Sequence, residues 1–423
     1  MAGNLPIDGK RLWDDLMQLA AITDPGKPYT RRSFSPLFLE GRAWLTARFK
    51  AAGLATRIDT AGNLIGRMEG SDPAAKVIMI GSHSDSVPSG GRFDGPAGLL
   101  TGLEIARSLR DSGVRLRHSI EIVDFLAEEP SEFGLSCIGS RGMAGVLEPP
   151  MLAYKDPTGE ILADAIDRVG GRVGALADAK RKDIAAFFEL HIEQSIVLEQ
   201  GGIDVGIVTA IVGITRIEIV FKGSADHAGT TPMHLRCDAF TPAARTAVYV
   251  ETLARHFASR GEGHFVATIG VVSVSPNASN VVPQEARIVI DARAERRNLM
   301  DEFLVLLDAE TAKLAAESRT EREIFARLSD TNPTPCDPLL RDTLTASARA
   351  LGFSSIDIAS GAGHDAAFIA RIAPAAMVFI PCRDGKSHTP EEWAEPGAVA
   401  AGAAVIADAV LRFDAMQAAT DAA

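Results

Sequence analysis

The sequence predicts an α/β protein into which a smaller α+β domain is inserted, and three observations support this fold class. Short apolar runs alternate with helical patterns through the first half of the chain. Near residue 213 the pattern changes to strands in which apolar and polar residues alternate. After a turn-rich stretch at 329–338, helix and strand patterns resume. Alternation of strands and helices is typical of a sheet covered by helices, which predicts the α/β layer.

Three apolar runs predict buried strands in the first half. They are "KVIMIGS" from Lys76, "SIEIVDFLAEE" from Ser119 and "AAFFELHIE" from Ala185. Between the first two, "AGLLTGLEIARSLRDSG" carries leucines at helical spacing and ends at Gly113, which predicts a helix. The order strand, helix, strand places these elements in one layered domain.

The inserted domain is predicted from a β-α-β-β-α order. "GITRIEIVFK" alternates as a strand, a helical run follows over 242–256, "FVATIGVVSVSP" and "EARIVIDARA" alternate again, and a second helix is expected over 298–317. This order predicts a separate domain over 213–329. The turn-rich "SDTNPTPCDP" is the predicted linker back to the first domain. The rest gives a helix over 339–351, the loop "SGAGHDA", the strand "AAMVFIP" and a last loop.

Composition limits the classes of function. The 423 residues suffice for two ordinary domains, and 46% hydrophobic with 23% charged residues is typical of a globular protein. A net charge of −12 argues against a nucleic-acid or membrane partner, although it permits a small anionic substrate beside a local arginine. No secretory signal or membrane span is recognisable. Four scattered cysteines without a CxxC pair predict reduced thiols, so a cytoplasmic location is expected.

Histidine and acidic side chains lie where the predicted strands end, and two further loops supply another aspartate and another histidine. Binding sites in open α/β sheets gather at the carboxyl ends of strands. Imidazoles with carboxylates suit zinc or a similar divalent ion, and a shared carboxylate would make a two-metal site. The candidate metal ligands are His83, Asp94, Glu129, His191 and His388. Two divalent ions per subunit are predicted, drawn from zinc, manganese, nickel and cobalt.

Two acidic residues beside these ligands have different predicted roles. Glu128 precedes the ligand Glu129 in "AEEPSEFG", and at a turn both carboxylates can approach one site. Glu128 is then free to take a proton from a water, as amide hydrolysis at a metal pair requires. Asp85 stands two residues after His83, where its carboxylate is placed to accept the second N–H of the imidazole and fix the tautomer.

Seven motifs occur in a fixed order along the chain. They are "GSHSDSVPSGGRFDG", "EEPSEFGLSCIGSRGMAG", "ELHIEQ", "HAGTTPM", "NASNVVP" with "DAR", "SGAGHDA" and "SHTPEE". Together they resemble the hydantoinase/carbamoylase branch of the M20 metallohydrolases. That branch includes N-carbamoyl-L-amino acid hydrolases, β-ureidopropionases and allantoate amidohydrolases. The order of the motifs is specific to the branch but does not select one substrate.

The resemblance implies a metallopeptidase-like three-layer α/β/α catalytic domain, discontinuous over 1–212 and 330–423, with a lid and dimerisation domain inserted over 213–329. It also implies a homodimer. Carried over by position, the five ligands keep their role, with Asp94 as the bridging carboxylate. Glu128 is the implied general base, and Asp85 is the implied partner of His83.

The resemblance adds residues that face the substrate. In the family the histidine of "HAGTTP", here His227, reaches toward the scissile carbonyl, often across the dimer. Asn280 and Arg293 resemble the clamp on a substrate carboxylate, for which a planar guanidinium is suited because it can bind both oxygens. Gln194 of "HIEQ" resembles a further substrate contact. Without the resemblance, His227 is equally interpretable as a turn residue and Arg293 as part of a surface ion pair.

These features together predict a dinuclear-metal amidohydrolase for a small carboxylated substrate, an N-carbamoyl or ureido acid. Glu128 is expected to deprotonate a water bridging the metals and to return the proton to the leaving nitrogen. An amidase for N-acyl or other amide-linked carboxylic acids is the alternative enzyme. A peptidase, or a binding protein that retains the fold, are further alternatives. His364 is interpreted as a loop histidine with satisfied hydrogen bonds, and no role is assigned to His118, His256 and His264.

Overall fold

A computed structural model of the protein describes residues 5–421, which form thirteen β-strands, twelve α-helices and three 3₁₀ helices. The strands are β1 (Ala55–Ile58), β2 (Leu64–Met68), β3 (Val77–His83), β4 (Ile120–Phe125), β5 (Ile184–Ile192), β6 (Val205–Ile211), β7 (Gly213–Lys222), β8 (Phe265–Ser275), β9 (Glu285–Ala294), β10 (Glu321–Asp330), β11 (Thr334–Pro335), β12 (Ser355–Ser360) and β13 (Ala375–Ile380). The α-helices are α1 (Gly9–Ala20), α2 (Pro36–Ala51), α3 (Pro96–Asp111), α4 (Ile138–Ala144), α5 (Pro149–Leu152), α6 (Leu162–Arg168), α7 (Val197–Gly201), α8 (Phe240–Ser259), α9 (Arg297–Glu317), α10 (Pro338–Leu351), α11 (Ala366–Ile369) and α12 (Pro396–Asp421). The 3₁₀ helices are Val173–Ala179, Met233–Leu235 and Arg383–Gly385.

The described chain divides into two compact units. The first unit contains the residues up to Thr209, Cys336–Ile358 and the described residues from His364 onward. The second unit contains Ala210–Pro335 and the short segment Ala359–Gly363. The sequence placed the boundaries after residues 212 and 329 and did not anticipate the short segment, which lies within the "SGAGHDA" motif.

The first unit is organised around a mixed sheet of order β1-β2-β4-β3-β5-β13-β6, with β12 paired to β6. Strands β4, β3, β5 and β13 run parallel to one another, and β2 and β6 join this group antiparallel. Every residue of β3, β4 and β13 is buried, so both faces of the central sheet are covered. Helices α3, α4, α11 and α12 pack against these strands. The α/β class is confirmed, and the three predicted strands form β3, β4 and β5.

The second unit is a four-stranded antiparallel sheet with two long helices. Its strand order is β10-β7-β9-β8, and α8 and α9 pack against it. Alternate residues of β9 are buried, as expected for a sheet with one face on a core and the other polar. The core contains Ile217, Ile219 and Phe221 from β7 together with Phe257 and Phe303 from the helices.

Several strands were missed by the sequence analysis. The largest omission is β10, whose sequence "EREIFARLSD" is half charged and contains no fully buried residue. It is an edge strand of its sheet, so its pattern carries little of the apolar signal by which strands are recognised. The predicted linker at 329–338 therefore begins inside β10 and includes the two-residue strand β11. Within residues 5–421, no helix has the length and apolarity that crossing a bilayer requires.

Candidate metal centre

The carboxyl ends of four parallel strands bring the candidate residues to one edge of the first unit's sheet. His83 is the last residue of β3, and His191 is the penultimate residue of β5. The pair Glu128–Glu129 follows β4 after two residues, and His388 lies in the loop after β13. Because parallel strands end at the same edge of a sheet, the topology itself gathers these side chains.

Asp94 lies between two groups of potential metal ligands and turns one carboxylate oxygen toward each. Its Oδ1 is 3.2 Å from His191 Nε2 and 3.5 Å from His83 Nε2. Its Oδ2 is 3.3 Å from His388 Nε2, which is also 3.3 Å from Glu129 Oε1. Within each group the ligand atoms lie within 4.8 Å of one another. The structure therefore brings all five candidate ligands together around one shared carboxylate.

The two buried imidazoles are oriented by main-chain carbonyl groups. His83 Nδ1 lies 3.0 Å from the carbonyl oxygen of Asp85, and His191 Nδ1 lies 2.9 Å from that of Ile192. Since a carbonyl can only accept a hydrogen bond, each Nδ1 carries a hydrogen, and the neutral form of each ring therefore has its lone pair at Nε2. His83 Nε2 is buried and has no hydrogen-bond partner among the described residues. A buried ring nitrogen that faces carboxylates and has no partner fits a divalent cation as the group that would satisfy it.

Asp85 contacts His83 through its backbone, which differs from the expected side-chain contact. Its carboxylate Oδ1 lies 3.6 Å from His83 Nδ1, beyond a normal hydrogen bond. The chain after β3 brings the carbonyl group of Asp85 back to the ring, and the carboxylate forms its hydrogen bonds elsewhere. That carboxylate accepts the backbone N–H groups of Glu128 and Glu129 at 3.2 and 3.3 Å. Asp85 therefore joins the turn that follows β3 to the turn that follows β4.

Glu128 is buried beside the first ligand group, with its two oxygens in different environments. Oε2 lies 3.6 Å from His83 Nε2, and Oε1 accepts a weak hydrogen bond from the Cys137 thiol at 3.6 Å. Burial, assisted by the neighbouring carboxylates of Asp365 and Glu129, raises the pKa of Glu128 well above its usual range. Burial also raises the pKa of Glu129 to about 7. Two crowded acids of this kind favour a nearby cation, which would offset the repulsion between them.

The turns at the site adopt backbone conformations that most residues avoid. Ala127, Gln194 and His388 have φ values of 52°, 59° and 57°, in the left-handed region that favours glycine. Gly95 follows Asp94 with φ of 82°, and a Cβ there would lie 2.5 Å from ring atoms of His83. Only glycine lets the backbone after Asp94 approach the imidazole so closely, which accounts for the glycine that ends the motif "GSHSDSVPSGGRFDG".

Gln194 is engaged with the candidate centre in the first unit. Its Nε2 donates to Asp94 Oδ2 at 2.7 Å and to Ser387 Oγ at 3.1 Å. Ser387 Oγ lies 2.6 Å from the same Asp94 oxygen, and Glu392 accepts the N–H groups of Phe93 and Asp94. The amide of Gln194 therefore holds Asp94, because the turn at Gln194 directs it inward, and its contact with substrate stays a prediction. Ser387 and Glu392 were not predicted, although both belong to the quoted "SHTPEE" motif.

The substrate-facing candidates of the second unit lie on its loops and on β9. His227 Nδ1 accepts the N–H groups of Gly229 and Thr230 at 3.1 and 3.2 Å, so Nε2 carries the hydrogen and is a donor. His227 also forms a β-bridge with Val281, the residue after Asn280, which places both candidates on paired segments. Both side chains are exposed.

Arg293, on β9, already uses part of its guanidinium within the second unit. Nε donates to Asp291 Oδ1 at 2.8 Å, and Nη1 donates to the carbonyl group of Gly361 at 2.8 Å. No described residue accepts a hydrogen bond from Nη2. The side chain is about a third exposed, so Nη2 remains available to an anionic ligand.

Comparison with known proteins places this site in a wider context. The model of peptidase family M20/M25/M40 matches residues 79–412. An N-carbamoyl-L-amino acid amidohydrolase of Geobacillus stearothermophilus is 38% identical over 403 residues, covering 95% of this chain and 97% of that protein. A ureidoglycolate hydrolase of Oryza sativa subsp. japonica is 35% identical over 417 residues, covering 96% and 85% of the two chains. The crystal structure of an amidase of the hydantoinase/carbamoylase family from Burkholderia multivorans is 35% identical, with a TM-score of 0.89 and coverage of 97% and 98%.

Proposed function

The chain belongs to peptidase family M20/M25/M40, and from that premise we propose that it is an amidohydrolase for ureido acids. The bond cleaved is the C–N bond of an N-carbamoyl amino acid or a related ureido acid. The observation that carries the proposal is the pair of ligand groups sharing Asp94, with Glu128 buried beside them. Relatives named for ureido substrates, similar over nearly their whole length, support the choice of substrate class.

Two divalent ions, from zinc, manganese, nickel or cobalt, are part of the proposal. One would be held by His83, Asp94 and His191, and the other by Asp94, Glu129 and His388. Bound ions of this kind supply Lewis acidity, which polarises a carbonyl group and favours loss of a proton from water. The mixture of imidazole and carboxylate donors suits these metals better than calcium or magnesium, which prefer all-oxygen sites.

The proposed proton carrier is Glu128. Its Oε2 faces the ligand group of His83, while Oε1 is held by the Cys137 thiol. Oε2 takes a proton from the attacking water, and the carboxylic acid then gives it to the leaving nitrogen. Burial favours the protonated form of Glu128, so the raised pKa suits the second half of this cycle, in which the residue must act as an acid.

For an N-carbamoyl amino acid the bond changes balance with one water. The water oxygen forms a bond to the carbamoyl carbon, the bond from that carbon to the amino nitrogen breaks, and the nitrogen takes the proton from Glu128. The products are the free amino acid and carbamate, which decomposes to ammonia and carbon dioxide. Ammonia is therefore the product that separates a ureido substrate from an ordinary amide.

Substrate binding is proposed to involve the second unit. The Nε2–H of His227 is a donor for the developing oxyanion, and such donors are each worth about 2.7–4 kcal/mol in mutated enzymes. Asn280 and the open Nη2 of Arg293 would bind the substrate carboxylate, and Gln194 would act by holding Asp94. The proposal also includes a lid and dimerisation role for the second unit, a homodimer, and a cytoplasmic location. The four cysteines are unpaired, which supports a reducing compartment.

The first test is release of ammonia from a panel of N-carbamoyl-L-amino acids, β-ureidopropionate, allantoate and ureidoglycolate. The protein is assayed with manganese, with zinc and with a chelator, and N-acetyl amino acids serve as amides that contain no ureido group. Metal-dependent ammonia from the ureido compounds supports the proposal. Free amino acid from N-acetyl compounds without ammonia would replace it with a general amidase. Turnover that persists in chelator would contradict the proposed metal dependence.

A further inference from the structure

Arg31 is a buried cation with no carboxylate in direct contact. The residue is 5% exposed, and the carboxylates of Asp124 and Asp85 act on its charge from beyond ion-pair distance. Burial of an unpaired charge is costly, and here it lowers the pKa of Arg31 to about 10. An apolar side chain could fill the same volume without that cost. Packing alone therefore does not account for an arginine at this buried position.

The guanidinium of Arg31 connects the end of α1 to the turn after β3. Nη1 donates to the carbonyl groups of Leu19 and Ile22 at 2.8 and 2.9 Å. Nε donates to the carbonyl group of Ser84 at 2.7 Å. The carbonyl end of a helix carries partial negative charge, which compensates part of the unpaired positive charge.

The backbone of Arg31 holds the same turn from a second direction. Its N–H donates to Ser86 Oγ at 2.8 Å, and the N–H of Ser86 donates to the carbonyl oxygen of Arg31 at 3.1 Å. Residues 84 and 86 are thus both fixed to residue 31. Asp85 lies between them and has little freedom to move.

Asp85 is the residue that transmits this restraint to the candidate metal centre. Its carbonyl oxygen accepts the hydrogen of His83 Nδ1, and its carboxylate accepts the N–H groups of Glu128 and Glu129. We propose that Arg31 is a positioning residue for the metal centre. By fixing Ser84 and Ser86 it holds Asp85, and through Asp85 it sets the orientation of His83 and of the Glu128–Glu129 turn. This inference rests on the metal-dependent function proposed above.

Two variants perturb Arg31 in different ways. Arg31→Lys keeps the positive charge but gathers its donors on one nitrogen atom, which cannot reach the separate carbonyl groups that Nε and Nη1 serve. Gly41→Ala displaces the side chain without removing it, because a Cβ at Gly41, in α2, would lie 2.9 Å from Arg31 Cδ and 3.4 Å from its Nε. Alanine is a better helix former than glycine, so Gly41→Ala is expected to move the guanidinium while favouring the helix itself.

Gly397→Ala is the matched control. Gly397 lies in α12, and a Cβ there would enter open space. It makes the same glycine-to-alanine change in a helix, without contact to Arg31. Any effect of Gly41→Ala that Gly397→Ala does not reproduce is therefore assigned to the displaced arginine.

The experiment measures the affinity of each metal-free protein for Mn²⁺ and for Zn²⁺ in competition with a coloured chelator. Loss of a partner that orients a metal ligand typically weakens metal binding about 10- to 100-fold. We expect a weakening in this range for Arg31→Lys and Gly41→Ala, with Gly397→Ala equal to the wild type. Thermal melting in chelator is recorded in parallel to measure the purely structural effect of each change.

Equal metal affinity in the wild type and both variants, with or without a lower melting temperature, would make Arg31 a structural residue only and overturn the inference. If Arg31→Lys does not fold, Gly41→Ala decides alone. The readout needs no substrate, so it separates this inference from the proposed reaction. A wild type that binds metal but releases no ammonia contradicts the reaction while the variant affinities still decide the role of Arg31. A wild type that binds neither metal overturns both.

Discussion

The imidazole of His364 lies edge-on against that of His191, with ring centroids 4.5 Å apart and planes inclined by 62°. His364 is 2% exposed, and burial lowers its pKa well below the usual range, so the ring is neutral. His191 is oriented from one side by the carbonyl group of Ile192 and from the other by this ring contact. The sequence indicated only a loop histidine with satisfied hydrogen bonds. In the structure its buried ring packs against the imidazole of His191, a candidate ligand.

Replacement of His364 by alanine is expected to loosen His191. Removal of a large buried side chain typically costs about 2–5 kcal/mol, and the space left would let the His191 ring rotate away from Asp94. His364→Ala should therefore lower both the free energy of unfolding and the metal affinity. Denaturant titration and chelator competition measure the two effects separately. His118→Ala is the control, since His118 is also buried but bonds Asp414 instead of the candidate centre.

The position of Asp94 between the two ligand groups predicts how many metal ions each variant binds. It belongs to both ligand groups, whereas His388 belongs to one. We expect two ions per subunit in the wild type, one in His388→Ala and none in Asp94→Ala, as measured by elemental analysis after dialysis. Metal removal should also lower the melting temperature, since a ligand at 100 times its Kd stabilises the folded state by about 2.7 kcal/mol. His256→Ala, an exposed histidine of α8, should keep both ions.

One ion in the wild type would reduce the proposal to a single-metal site. An Asp94→Ala variant that retains one ion would show that the two ligand groups do not depend on a common carboxylate.

Glu128→Gln should separate proton transfer from metal binding. Glutamine keeps the shape of the side chain but cannot take a proton, and loss of a general base typically costs about 10²–10⁴-fold in kcat. Metal content should be unchanged, because Glu128 belongs to neither ligand group. The control is Glu132→Gln, an exposed acid in the same loop that pairs with Arg32. Turnover of Glu128→Gln close to the wild-type rate would remove Glu128 from the proposed mechanism.

The candidate ligands were predictable from the sequence because they depend on topology. His83 and His191 lie at the ends of buried apolar strands and Glu129 follows one, and parallel strands end at one edge of a sheet. The α/β class follows from the same runs. Strands β6 and β10 were missed for opposite reasons. Strand β6 is continuous with the apolar region that leads into β7, and β10 is an exposed edge strand with few buried residues.

Contacts made by turns were not predictable in the same way. The hydrogen bond that His83 donates to Asp85 is accepted by a carbonyl group, which every residue possesses, so nothing in the sequence marks it. Gln194 faces Asp94 because its backbone is left-handed, and the sequence pattern gives no sign of that conformation. Arg31 lies more than fifty residues before Ser84 and in no recognised motif. In each case backbone geometry, and not residue type, determines which group forms the hydrogen bond.

Arg293 gives a prediction about binding. Two of its donor groups are already used by Asp291 and Gly361, so its contact with a substrate carboxylate would be made through Nη2. A hydrogen bond to a charged group contributes about 1.5–3 kcal/mol, so Arg293→Ala should raise KM about 10- to 100-fold for carboxylated substrates with a smaller change in kcat. The control is Arg287→Ala, on the same strand and paired with Glu218. An unchanged KM would exclude Arg293 from the carboxylate clamp.

The ion pair of Asp330 with Arg297, within the second unit, predicts that the free energy of unfolding of this unit falls in acid. Its carboxylate accepts hydrogen bonds from Arg297 and Thr215, at 2.5 and 2.8 Å, and the bond to Arg297 is the main cause that lowers the pKa of Asp330 to about 2. An unfolded aspartate has a pKa of about 3.9. A folded pKa below the unfolded one stabilises the protein above pH 4, and this contribution is lost as the pH falls from 4 toward 2.

Asp330→Asn should therefore cost about 1 kcal/mol or less near neutral pH, because the site is partly exposed to solvent. The difference from the wild type should stay constant down to about pH 5 and shrink between pH 4 and pH 2. Denaturant unfolding over this range, followed by a probe in the second unit, measures it. Glu321→Gln, an exposed acid of the same strand, is the control and should show no such trend. A difference that grows on acidification would mean that asparagine disturbs the Arg297 contact by shape and not by charge.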